Sequence, residues 1–147
     1  MGRTAWQQSE QRNWLRREAE ALGFSAIGFA KAGLLDEEAD RFESWLKSGY
    51  AGEMGYLERN IDKRLDPRLL VPGTRTVVSL LFNYHNPEAP SDPDAPRIAS
   101  YALGEDYHHV VKWKLKELLK RFQQEWGAVE GRVFIDSAPV MERQWAQ

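Results

Sequence analysis

Carboxylates, histidines and an arginine gather at two places in this 147-residue chain, Asp106-Tyr-His-His109 and the segment from Asp136 to Arg143. Asp136 lies between Arg132-Val-Phe-Ile135, which reads as a short strand, and Ser137-Ala-Pro139, which reads as the start of a helix. A carboxylic acid at a strand end, partly dehydrated by Phe134, Ile135 and Val140, would have its pKa raised and could donate a proton. The competing reading is structural, because an aspartate between a strand and a helix is most often an N-cap or turn residue. Arg143 would lie on the same side of the following helix, binding an anionic or polar group or pairing with Glu142 or another neighbour.

His108 and His109 are adjacent, so on a helix they point about 100° apart and cannot both grip one metal from that segment. His85 is the only other histidine, which argues against a histidine-rich metal site. Read structurally, Asp106 caps a helix and Tyr107 packs against the core. The chain has no cysteine, so its own residues form no disulfide, thiolate nucleophile, cysteine-ligated zinc or iron–sulfur cluster. Gly23-Phe-Ser-Ala-Ile-Gly28 has the wrong spacing for a nucleophile elbow, and neither a phosphate loop nor a dinucleotide fingerprint occurs.

A net charge of −2 gives no bulk attraction to nucleic acid, although a local basic patch could touch phosphates. No apolar run is long enough to span a bilayer, and the first thirty residues are too rich in Gln, Glu and Arg for a secretion signal. Trp6 stands where a myristoylation motif needs Ser or Thr. A cytoplasmic location is the expectation, without a membrane partner. The length suits one domain, residues 1–147, burying roughly two-thirds of its unfolded surface.

Residues 8–22 carry Trp14, Leu15, Ala19 and Leu22 at helical spacing, with Gly23 placed as the stop. Phe24 to Ala30 reads as a buried strand, and Asp36 as the N-cap of a helix whose stripe is Ala39, Phe42, Trp45 and Leu46, ending at Gly49. Gly52 to Arg59 suggests a short helix, and Asp66-Pro67 supplies the cap and first-turn proline of another. Five basic residues, Arg59, Lys63, Arg64, Arg68 and Arg75, fall in this region.

Thr76 to Phe82 is apolar on both faces, as in a central strand covered by helices. The proline-rich stretch from Asn86 to Pro96 predicts a surface loop. Asp106 to Trp126 predicts a long helix with Val111, Leu115, Leu118, Leu119, Phe122 and Trp126 inward and Lys112, Lys116, Lys120 and Gln123 outward. The lysine row is either a solvated face or a set of phosphate contacts. Trp14, Trp45, Trp113 and Trp126 fall at or beside apolar positions and are expected in the core. Together these elements predict an α/β fold, with α+β as the variant, built as a small central sheet flanked by helices.

Five motifs, Gly52-Glu-Met-Gly-Tyr-Leu-Glu-Arg59, Leu65-Asp-Pro-Arg-Leu-Leu-Val-Pro-Gly73, Phe82-Asn-Tyr84, Ala102-Leu-Gly-Glu-Asp-Tyr-His108 and Asp136-Ser-Ala-Pro-Val-Met-Glu-Arg143, occur in an order and spacing that resembles the epoxyqueuosine reductases over nearly the whole chain. The resemblance implies a cobalamin-binding N-terminal domain, followed in that family by a ferredoxin-like domain with two 4Fe-4S clusters and a tRNA-contacting part. It implies the last step of queuosine synthesis, in which the epoxide of epoxyqueuosine in tRNA is reduced to the alkene with loss of water. Asp136 matches the family's proposed general acid. Arg59, Ala99, Tyr107, His108, Met141, Glu142 and Arg143 match positions that surround the corrin or the substrate space, several through backbone atoms. Ser100 departs from the family's Ile-Ala-Arg-Tyr-Ala pattern and could remove a corrin or phosphate contact.

Without cysteines these residues cannot pass electrons to cobalamin by the family's route, so the chain is expected to be the N-terminal part of a longer reductase or a truncated gene product, not competent for turnover by itself. A second expectation is a non-catalytic corrin- or tRNA-binding module. The last helix supports a longer reductase, since Met141 and Trp145 share a face on too few residues to be stable without tertiary partners and the residues covering that face are expected to be missing; a third expectation is a segment incompletely folded alone and without activity.

Overall fold

In the computed structural model the described residues are 5–85, 94, 96, 98–102, 104–136 and 138–147. Most of the expected 86–96 loop, Arg97, Leu103, Ser137, the Ser100 side chain and the chain start at Met1-Gly2 lie outside them. Helices α1 (Ala5–Ala21), α2 (Asp36–Lys47), α3 (Ile61–Leu65), α4 (Tyr107–Trp126) and α5 (Glu142–Trp145) accompany strands β1 (Ala26–Lys31) and β2 (Thr76–Leu81). This is the small sheet with helices that the sequence predicts. No helix among the described residues is long and apolar enough to cross a membrane.

The two strands pair in one sheet. The Ser25 N–H donates to the Leu81 carbonyl at 2.8 Å and the Ala32 N–H to the Arg75 carbonyl at 3.0 Å, so the strands run antiparallel. A two-stranded sheet cannot cover both faces of either strand, and β2 leaves Val78 and Leu81 exposed, unlike the fully covered central strand expected for this segment. The third expected strand, Arg132–Ile135, is absent among the described residues: residues 127–134 follow no ladder. Their apolar side chains suit a strand, but a strand exists only where a neighbour accepts its backbone hydrogen bonds.

The chain divides into two compact units, Met1–Ile27 with Leu80–Val129, and Gly28–Ser79 with Glu130–Gln147. In the first, α1 packs on α4. Ala19, Leu22, Phe24, Val111 and Leu118 are buried, Trp14 meets Phe122 edge-on at 5.9 Å, and Phe24 meets Phe82 at 6.0 Å. Each fully buried Leu or Phe contributes roughly 1.5–3 kcal/mol. Gly23 ends α1 at φ 83°, a left-handed turn that a side chain would oppose. Arg121 of α4 bridges to Glu18 of α1 at 2.9 Å and to Glu117 at 3.0 Å, while the Lys114 ammonium donates to the Leu22 carbonyl at 2.6 Å. Trp113 corrects an expectation: its side chain is 61% exposed, because it shares the outward face with Lys112, Lys116 and Lys120 instead of the Val111–Leu118 stripe.

In the second unit the buried residues are Ala32, Ala51, Leu65, Asp66 and Trp145. The Asp66 side chain accepts the Arg68 N–H at 2.9 Å and its guanidinium at 2.8 and 2.6 Å, capping the 3₁₀ turn Pro67–Leu69 that the Asp66-Pro67 pair predicts. That guanidinium, through its hydrogen bonds, holds the Asp66 carboxyl below its ordinary pKa. On α2 the N-cap is Leu35, not Asp36. Asp36 instead joins Glu37 and Glu38 in the first turn, where negative charge meets the positive end of the helix dipole. The segment 52–59 is a run of turns, not a short helix. Gly52 at φ 54° leaves helical geometry at the start, and an Arg64 guanidinium bond to the Tyr56 carbonyl at 3.0 Å pins the turn. The last helix begins at Glu142, not near Ser137. Its Trp145 is buried and the Ser79 hydroxyl donates to the Trp145 carbonyl at 3.0 Å, so the face expected to lack cover is covered.

Candidate functional site

In the second unit the chain leaves the extended segment at Ile135 and turns at Asp136, whose φ is 46°. Left-handed backbone costs an ordinary residue about 1–2 kcal/mol and is eased for aspartate, whose short side chain bonds locally. The turn has a specific partner: the Asp136 N–H donates to a Glu142 carboxylate oxygen at 3.0 Å. Two residues on, the Val140 N–H donates to the Ala138 carbonyl at 2.8 Å. Met141 then serves as the N-cap of α5, and its carbonyl accepts the N–H groups of Gln144 and Trp145.

Phe134, Ile135 and Val140 are half-buried, but Asp136 is exposed rather than dehydrated by them. The Glu142 carboxyl lies above its ordinary pKa. Loss of hydration is the main cause, the Asp136 N–H works against it, and the negative charge of Asp136 adds to the rise. Arg143 is exposed and makes no ion pair among the described residues, whereas the Arg132 guanidinium lies 5.0 Å from the centre of the Phe134 ring. Arg59 is exposed beside Asn60, a second non-glycine residue at positive φ (58°) among the described residues and the N-cap of α3.

In the first unit Asp106 caps α4. Its carboxylate accepts the His108 N–H at 2.9 Å and faces His108 Nδ1 at 2.8 Å. The backbone bond first, and the ring bond second, lower the Asp106 pKa. The structural reading of Asp106 therefore holds, and the aspartate also fixes the imidazole. Tyr107 lies against that ring, 4.1 Å between centres, and meets Tyr101 edge-on at 6.0 Å, which in turn meets Tyr84 at 6.5 Å. Tyr84 and Tyr101 are exposed, so the set presents aromatic faces on which a flat ring system can rest. Ala99 contributes its carbonyl to the Ala102 N–H at 2.8 Å.

Thus Ala99, Tyr107 and His108 belong to the first unit and Arg59, Asp136, Met141, Glu142 and Arg143 to the second. Two features escape the sequence reading. The Tyr84–Tyr101 contact links loops without periodicity, and the Asp136–Glu142 bond joins residues six apart, a spacing that no helix or strand rule flags. Among the described residues no group of three His, Asp or Glu side chains could hold a metal ion.

A family model described as epoxyqueuosine reductase QueG, DUF1730, matches residues 64–137. The epoxyqueuosine reductase of Cyclobacterium marinum is 54% identical over 134 residues, covering 90% of this chain and 43% of that protein. The solved epoxyqueuosine reductase of Streptococcus thermophilus superposes with a TM-score of 0.81 at 25% identity, over 92% of this chain and 37% of that one. An epoxyqueuosine reductase with an epoxyqueuosine-modified tRNA stem loop gives 0.76 at 27% identity, over 94% of this chain and 37% of that one. The Bacillus subtilis enzyme, in a structure with its catalytic aspartate loop swung out of the active site, gives 0.76 at 26%, over the same shares. The chain spans about two fifths of the length of the curated relatives it matches.

Proposed function

We propose, since the chain belongs to the epoxyqueuosine reductase QueG, DUF1730 family, that its 147 residues are the cobalamin-binding N-terminal domain of an oxidoreductase that reduces epoxyqueuosine in tRNA to queuosine. The observation that carries this reading is the exposed Asp136, presented on a left-handed turn that its own amide bond to Glu142 holds. Removing the epoxide oxygen as water takes two electrons and two protons. In this reading Asp136 supplies one proton, from its carboxyl to the departing oxygen, and is reprotonated from solvent, which also supplies the second proton. The loop bearing Asp136 is, in this reading, the counterpart of the Bacillus subtilis catalytic aspartate loop, so presentation of the acid is a conformational variable.

In the first unit the exposed rings of Tyr84 and Tyr101, beside Tyr107 and His108, offer surfaces of the kind on which a large ring system fringed with amides can rest. Cobalamin, when bound, supplies a strongly reducing cobalt centre. Tyr107, His108 and the backbone at Ala99 would hold the corrin, as would Arg59, Met141, Glu142 and Arg143. Having no cysteine, these residues do not ligate 4Fe-4S clusters, and the clusters that feed electrons would be bound by sequence outside them. The partner is tRNA carrying epoxyqueuosine, and the place of work is the cytoplasm.

The test is Asp136→Asn in a reductase of the family's full length. Cobalamin binding is expected to persist while turnover is lost. Unchanged turnover would remove Asp136 from the acid role.

A further inference from the structure

We infer that Glu142 is a positioning residue for Asp136: from the first turn of α5 its carboxylate accepts the Asp136 N–H and latches the left-handed turn at Asp136 in the conformation that presents the acid. The inference rests on the reading of Asp136 as the proton donor and adds the device that aims it. Three observations support it.

The bond itself is well formed, at 3.0 Å from amide nitrogen to carboxylate oxygen. It is made by a residue whose backbone is left-handed at φ 46°, a conformation that an aspartate keeps when surrounding contacts hold it. The base of the latch is also fixed. A four-residue helix has no stability of its own, yet α5 is tied down by the buried Trp145 and by the Ser79 hydroxyl on the Trp145 carbonyl.

The electrostatics agree with the geometry. Glu142 loses hydration, and among the described residues the charged group that acts on it is the Asp136 carboxylate. The amide bond stabilises the ionised glutamate, so the latch is strongest when Glu142 is charged and weakens when it takes up a proton. A glutamate committed in this way serves the loop before it serves a corrin.

The test reads the amide proton of position 136 by NMR in the 147-residue chain. An Asp136→Asn background removes the titration of that residue's own carboxyl. In that background the amide resonance is expected to follow the ionisation of Glu142, with a midpoint above the usual glutamate value. Adding Glu142→Gln should abolish this step while keeping the amide protected. Adding Glu142→Ala should speed its exchange about tenfold, the loss of one net hydrogen bond.

An amide that titrates identically with Glu142→Gln would overturn the latch, and this variant decides the matter if the alanine variant does not fold. In a full-length reductase with Asp136 intact, Glu142→Ala should lower kcat about tenfold with KM little changed, and Glu142→Gln should restore most of it. Equal losses in both variants would also overturn it. The NMR readout needs neither cobalamin nor tRNA, so a failed cofactor titration would leave the latch standing. Conversely, an unlatched amide in a chain whose Asp136→Asn reductase is inactive would leave the acid role standing.

Discussion

Trp145 fastens the helix that carries Glu142, and its indole is in an unusual state: the side chain is buried, but Nε1 has no hydrogen-bond partner among the described residues. Two substitutions separate the terms. Trp145→Ala removes the whole ring system and should cost about 3–5 kcal/mol, transfer and cavity together. For a chain of this length that lowers the melting temperature by roughly 6–20 °C. Trp145→Phe removes one ring, worth on the order of 1–2 kcal/mol of burial and cavity. It also relieves a buried unpaired N–H, whose desolvation costs about 1–3 kcal/mol. The opposed terms nearly cancel, so the phenylalanine variant should lie within about 1 kcal/mol of the parent. Urea unfolding followed by far-UV circular dichroism, with slopes compared to confirm that the same surface is exposed, measures both. A phenylalanine variant as unstable as the alanine one would refute the reasoning, because it would mean that the indole N–H is engaged.

Two further outcomes are expected. The folded-state pKa of Asp106 is depressed, chiefly by the His108 N–H, so its stabilisation is present above the unfolded carboxylate pKa and lost as pH falls through the lower folded value; Asp106→Ala should flatten the acid side of a melting-temperature profile, and an unchanged slope would contradict this. Exchanging Lys112, Lys116 and Lys120 for glutamate should weaken tRNA binding and its salt dependence if this exposed face, with Trp113 among the lysines, touches phosphates; electrophoretic mobility at two salt concentrations measures it, and equal binding would assign the lysines to solvation alone.

The parts of the fold legible in the sequence are those set by local periodicity. Helix α4 follows from one apolar stripe and an aspartate at its start, and the structure confirms both the span and the cap. The presence of strands β1 and β2 follows from their apolar composition, whereas their pairing does not. Where the outcome depends on distant partners, local pattern misleads. Residues 132–135 have strand composition but no neighbouring ladder, and Trp113 lies two positions from Val111 of the buried stripe yet points outward.

The candidate site divides in the same way. Asp136, His108 and Arg143 stand out by residue type and by the motifs that resemble the family, a resemblance the family match bears out. The Asp136–Glu142 bond and the Tyr84–Tyr101–Tyr107 contacts depend on where loops fold, and no spacing rule encodes them. Glu142 was expected beside the corrin by family likeness, and the structure adds its bond to the Asp136 amide.

The proposed function requires that the chain bind cobalamin and that Asp136 take no part in that binding. An anaerobic absorbance titration of the 147-residue chain with cob(II)alamin, run in parallel on the Asp136→Asn variant, tests it most directly. A saturable spectral shift, marking loss of the lower base ligand, is expected in both proteins and at similar concentrations, because in the proposed role Asp136 acts on the substrate oxygen and not on cofactor affinity. No shift in either protein would contradict the claim that this chain carries the cofactor site.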